Sequence, residues 1–93
     1  MKTFKCLKFK PHTIGNGVQA RMNFKNGYGV SVVKFNGSYG FSVDLWEVAV
    51  FKGGSITYDT PITNDVIGYQ TKTDVTNVMK QVQQLKPVHE LTQ

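Results

Sequence analysis

Residues Val18 to Lys25 alternate without a break: Val18, Ala20, Met22 and Phe24 share one parity, Gln19, Arg21, Asn23 and Lys25 the other. Period-two alternation makes a strand with one buried and one wetter face, and it argues against a helix here, because helical side chains repeat every 3.6 residues. Asn26-Gly27 follows at once. Both residues tolerate the positive φ of a type I′ turn, so the dipeptide predicts a hairpin with a two-residue loop. In that register Phe24 faces Gly29, Met22 faces Ser31, Ala20 faces Val33 and Val18 faces Phe35. The opposite face sets Lys25 beside Tyr28, Asn23 beside Val30 and Arg21 beside Val32. It is then a mixed surface, basic on one strand and apolar on the next.

Glycine and asparagine punctuate the rest of the first two-thirds: Gly15-Asn16-Gly17, Asn36-Gly37-Ser38 and Gly53-Gly54. The β-rich runs between such breaks read as strands joined by tight turns. Thr3 to Phe9 is the first run. Leu45 to Phe51 is apolar on both parities apart from Glu47, which suits a central strand covered on both faces. Gly53-Gly54 turns it into Ser55 to Tyr58, a second hairpin, which Asp59-Thr60-Pro61 ends. Residues 62–70 suit a short strand or a helical turn equally. Val75, Val78, Met79, Val82 and Leu85 then recur at spacings of three and four, the apolar stripe of an amphipathic helix. Thr71 with Asp74 matches a capping box, with Thr73 as a competing N-cap, and Pro87 stops the helix. One amphipathic helix must lay its stripe on the sheet. The expected fold is therefore α+β: an antiparallel sheet of four or five strands, in two hairpins, with one C-terminal helix across a face. A chain of 93 residues makes one domain of this kind, here residues 1–87, with 88–93 as a frayed tail.

Catalytic chemistry finds little to work with. His12 sits in a loop and His89 in the tail, and neither has the neighbours that activate a base. Asp44, Glu47, Asp59, Asp65 and Asp74 each have a structural role at hand in a turn, strand end or cap. The single cysteine, Cys6, rules out an internal disulfide and any cysteine-clustered metal site, and a lone thiol suits a reducing compartment. Cys6, His12 and a carboxylate do not have metal-ligand spacing. Gly15-Asn16-Gly17 lacks the following helix of a phosphate-binding loop. No catalytic residue, metal or cofactor is expected, and the chain reads as a non-enzyme. No run approaches the roughly 20 apolar residues of a membrane helix, and lysines at 5, 8 and 10 interrupt any signal-like start.

Charge points to binding. Lysine and arginine exceed acids by 11 to 6. Seven cations precede the first acid, Asp44, whereas residues 44–93 hold four cations and all six acids. Two binding classes compete. A nucleic-acid surface would use Lys5, Lys8, Lys10, Arg21, Lys25 and Lys34 among the aromatics of the N-terminal half. Against it, a single arginine is thin equipment for bidentate recognition, and strand lysines also guard sheet edges. A protein-binding surface would use Tyr39, Phe41 and Trp46 around Asn36-Gly37-Ser38-Tyr39-Gly40, together with the sheet face bearing Arg21, Tyr28, Val30 and Val32. A basic rim around an apolar patch favours an acidic protein partner, and an uncovered sheet face or edge strand allows self-association into a homo-oligomer.

At NGYGVSVVKF-NGSYG (Asn26 to Gly40), LWEVAVFKGGSITYDTPITNDVIGY (Leu45 to Tyr69) and DVTNVMKQVQQL (Asp74 to Leu85), the chain resembles a group of small, uncharacterised proteins encoded by tailed bacteriophages. The resemblance implies an accessory protein in the cytoplasm of an infected bacterial host. Such a protein binds and modulates a host or phage protein, in host takeover or inhibition of host defence. It brings no catalytic or binding residues with it. Phage inhibitors that mimic nucleic acid are acidic, and a net charge of +5 disfavours that mechanism.

Overall fold

A computed structural model of the chain describes residues 1–12, 16–53, 55, 56 and 66–87. The fold is α+β, as expected: one antiparallel sheet with one C-terminal helix. Six strands make up the sheet among the described residues, β1 (Lys10–Pro11), β2 (Val18–Asn23), β3 (Tyr28–Lys34), β4 (Trp46–Lys52), β5 (Ser55–Ile56) and β6 (Ile67–Gln70). They run β1-β2-β3-β4, with β5 and β6 both on the far side of β4. β5 pairs with its Phe51–Lys52 end and β6 with its Trp46–Val48 end. Helix α1 spans Lys72–Gln83. The strand alternative for the 62–70 stretch holds at Ile67–Gln70, and residues 62–65 lie outside the described residues, as do Asp59 and the tail 88–93.

Three expectations need correction. Thr3 to Phe9 does not form a strand: Phe4–Cys6 is a 3₁₀ turn, and pairing begins only at Lys10. The Phe4 N–H donates to Thr76 Oγ1 at 3.0 Å, which ties this segment to the helix instead of the sheet. Leu45 to Phe51 does give a central strand, but Trp46, Val48 and Val50 are buried whereas Glu47, Ala49 and Phe51 are half-buried, so it is fully covered on one face only.

The third correction is the register of the first hairpin. Ala20 lies opposite Val32, Arg21 opposite Ser31, and Met22 opposite Val30, one residue from the expected pairing. The loop has three residues, Lys25, Asn26 and Gly27. The Phe24 N–H donates to the Tyr28 carbonyl at 2.7 Å, and the Gly27 N–H donates back to the Phe24 carbonyl at 3.2 Å. Gly27 takes φ 89°, the left-handed residue that a three-residue loop needs at its last position. A slip of one residue sends every side chain to the other face. Tyr28, Val30 and Val32 therefore join Ala20, Val48 and Val50 in the core.

The helix covers that face. Val75, Val78, Met79 and Val82 are buried against it, and Leu85 packs on the same cluster beyond the helix end. Each such side chain contributes about 1.5–3 kcal/mol relative to exposure. Thr71 is the N-cap: its Oγ1 accepts from the Asp74 N–H at 3.1 Å, and Asp74 Oδ2 accepts from the Thr71 N–H at 3.0 Å. At the other end the Asn26 side chain donates to the carbonyls of Val82 (2.8 Å) and Leu85 (3.1 Å), so the hairpin loop is tied to the C-terminal end of the helix.

Candidate functional site

The connection from β3 to β4 is held from within. Ser38 is buried, and its hydroxyl accepts from the Phe35 N–H and donates to the Phe35 carbonyl. Phe41–Val43 forms a 3₁₀ turn, and the Leu45 N–H returns to the Gly40 carbonyl at 3.0 Å. β6 packs against this loop. The Tyr69 N–H donates to the Tyr39 carbonyl at 3.3 Å, and a Cβ on Gly68 would stand 2.4 Å from the Tyr39 Cβ, so glycine is required for the two segments to approach. The Tyr39 N–H donates to Glu47 Oε1 at 3.0 Å.

This hydrogen-bonded scaffold turns apolar groups outward. Tyr39 is 60% exposed, Tyr69 59%, Val43 57% and Phe41 36%; they are four of the five exposed large hydrophobic side chains among the described residues. Tyr69 holds φ 56° and Asp44 φ 63°, left-handed conformations that cost an L residue roughly 1–2 kcal/mol. Backbone strain of this kind persists where neighbouring structure imposes it, and it concentrates at functional sites.

Of the sequence-derived candidates, Tyr39 and Phe41 belong to this end and Trp46 does not act as a surface anchor. Trp46 is buried beneath it, with Phe9 at 4.7 Å and Phe4 at 5.2 Å between ring centroids. Lys34 Nζ lies 4.2 Å from the same ring and 2.7 Å from Asp44 Oδ1. That hydrogen bond, with the lysine's charge, holds the Asp44 carboxyl below the ordinary aspartate value. Tyr28, Val30 and Val32, placed by the sequence on an exposed face, are core residues and offer no surface; the three-residue loop is the cause. Arg21 does face outward, 3.9 Å from the centre of the Phe51 ring. Tyr69 was not legible, because its stretch had no clear periodicity.

The nucleic-acid candidates are dispersed. Lys5 lines a shallow hollow with Lys72, Lys80 and Phe4, Lys25 lines a separate cavity with Lys2, and Lys34 is ion-paired. Lys8 and Lys10 are exposed on the N-terminal segment and β1, and Arg21 is on the outer sheet face. Lys72 and Lys80, counted in the sequence only as part of the C-terminal charge, join this hollow because the fold brings the helix beside Phe4. His12 stacks on Phe35 at 4.1 Å. Among the described residues no group of three or more His, Cys, Asp or Glu side chains could hold a metal ion, and no helix is long and apolar enough to cross a membrane. Comparison with protein-family models, with curated proteins and with solved structures finds no match.

Proposed function

We propose that the protein is a phage accessory protein that binds a host or phage protein in the host cytoplasm and modulates it without chemistry, through the end formed by Tyr39, Phe41, Val43 and Tyr69. The observation that carries this is the gathering of exposed aromatic and aliphatic side chains on the β3–β4 loop and the β6 strand hydrogen-bonded to it, with left-handed backbone at Asp44 and Tyr69. Tyrosine is a favoured interface anchor, since it buries a large area while losing few rotamers. Asp44 and Lys72 are the charged groups closest in sequence to this patch, and Asp44 is paired with Lys34. Contact here thus rests on aromatic burial, with the cations elsewhere contributing long-range attraction to an acidic partner.

The test is affinity capture from nuclease-treated lysate of the bacterial host, comparing the native protein with Tyr39→Ala/Tyr69→Ala. A stoichiometric protein that is recovered by the native chain and lost with the double variant supports the proposal. Equal recovery by both, or recovery of nothing, overturns it.

A second reading rests on the hollow where Lys5, Lys72 and Lys80 surround Phe4. Three cations beside an aromatic ring suit sequence-independent binding of single-stranded nucleic acid. Such binding should weaken with salt at a log–log slope of roughly −0.7 per phosphate contact. If fluorescence polarisation detects no DNA or RNA binding at low salt, this reading is excluded.

A further inference from the structure

At the end of the molecule opposite Tyr39, a cavity of about 660 Å³ opens between the first residues of the chain, the β2–β3 loop and the end of α1. Its size falls within the roughly 300–1,000 Å³ of small-molecule sites. The frame is tied together on both sides. Gln83 Oε1 accepts from the Lys2 N–H at 2.8 Å, and its Nε2 donates to the Lys2 carbonyl at 2.8 Å and to the Met79 carbonyl at 3.0 Å. Asn26 holds the hairpin loop to the Val82 and Leu85 carbonyls. The walls are thus pre-positioned by groups whose hydrogen bonds are already made.

The chemistry of the lining is one-sided. Met1, Phe24 and Pro87 supply apolar surface, Lys2 and Lys25 supply positive charge, and among the described residues no carboxylate lines the cavity. Neither lysine forms an ion pair with a described residue. The described acids, Asp44, Glu47 and Asp74, belong to the other end, at the start of β4 and the start of α1. The Cys6 thiol, also in the lining, is held below its ordinary value, first by the Thr3 backbone N–H and further by the charge of Lys2. An apolar pocket whose charges are all positive is complementary to a ligand with an apolar body and an anionic head. Lysine, a compact point charge on a flexible stem, suits a carboxylate or a phosphate without demanding a planar fork.

We propose that this cavity binds a small amphipathic anion: a carboxylate or phosphate monoester carried on a hydrocarbon or aryl body, its head between Lys2 and Lys25 and its body against Phe24, Met1 and Pro87. The site is independent of the Tyr39 end, and its test does not involve the partner protein.

Because Cys6 is the single cysteine, its thiol reports on the cavity without any engineering. The rate of Cys6 modification by a neutral disulfide, dithiodipyridine, is measured with increasing octanoate, octyl phosphate or octanol. Octanoate and octyl phosphate should each slow the reaction saturably, by about tenfold at occupancy near 90%, while octanol of equal chain length slows it far less. Lys2→Ala/Lys25→Ala, which keeps the Lys2 backbone bonds, should lose most of the protection while retaining the native circular-dichroism spectrum. The double variant should also react more slowly with the dianionic reagent dithionitrobenzoate, and the difference should shrink with salt. Absence of protection by both anions at millimolar concentration overturns the proposal. So does equal protection by octanol, which would make the pocket merely apolar. Sedimentation with phosphatidylglycerol vesicles without protection by the soluble anions overturns it too, by assigning the cations to a membrane surface.

Discussion

The two ends of the sheet are built from the same strands and solve opposite problems. At the β2–β3 loop the chain closes on itself. Asn26 caps the helix carbonyls, Gln83 holds the Lys2 backbone, and the Gly53 N–H donates to the Gly27 carbonyl at 3.0 Å. Roughly 20 Å away along β3, the backbone of the Tyr39–Leu45 loop is likewise hydrogen-bonded at Tyr39, Gly40, Phe41 and Leu45, yet Tyr39, Phe41 and Val43 face out and two residues, Gly40 and Asp44, adopt left-handed backbone. One end uses hydrogen bonds to join distant parts of the chain; the other uses them to hold apolar groups away from the core. The lesson is that order and burial are separable, and that an ordered but unburied apolar surface signals an interface.

Four substitutions test that contrast, from the largest effect to the smallest. Met79, fully buried, underlies both ends, and Met79→Ala should lower stability by about 2–5 kcal/mol in urea unfolding, weakening both ends together. Asn26→Ala should cost about 1–3 kcal/mol through the lost helix and loop hydrogen bonds, with faster amide exchange at the end of α1 and no change at Tyr39. If exchange rises equally at both ends, the ends are not separate units. Thr71→Ala should cost about 1 kcal/mol by removing the N-cap. Tyr69→Gly should leave the melting temperature level or slightly raised, because glycine accepts φ 56° without strain, yet abolish partner capture. Retained capture with Tyr69→Gly would show that the exposed ring is not part of the interface.

The cap also carries a pH signature. Hydrogen bonds from Thr71, from its backbone N–H first and its side chain second, hold the Asp74 carboxyl below its ordinary 3.8. A depressed folded value means that the contribution is complete above the ordinary value and is lost as pH falls through the folded one. Asp74→Asn should therefore be less stable than the native chain at neutral pH, and in urea titrations the difference should shrink as the pH is lowered from 3.8 and vanish below the depressed folded value.

How much of this was legible in the sequence follows from how local each determinant is. The strand over Val18–Asn23, the helix stripe and the Thr71–Asp74 cap rest on neighbours within a few residues, and periodicity reveals them. The register of the first hairpin was not legible. Asn26-Gly27 suits a two- or a three-residue loop, and the longer one lets Asn26 reach carbonyls 56 and 59 residues further along the chain. That choice moved Tyr28, Val30 and Val32 from a supposed binding face into the core. Trp46 misled for a related reason: an aromatic beside a glycine-rich loop reads as an anchor until Phe4 and Phe9 are seen to pack on it. The candidate end was half legible, since Tyr39 and Phe41 lie in the conspicuous loop whereas Tyr69 reaches it only through β6 pairing.

The pair of hydrogen bonds between Lys2 and Gln83 joins residues 81 positions apart, and the Phe4 N–H waits for Thr76, 72 positions away. During synthesis, at about 5–20 residues per second, the opening segment therefore spends roughly 4–16 s without the partners that hold it. Phe4 can meet Trp46 well before the helix exists, so the aromatic contacts give this segment a place on the growing sheet. The helix, made last among the described elements, then locks what the aromatics have gathered, and the cavity beside Lys2 comes into being only with that final step.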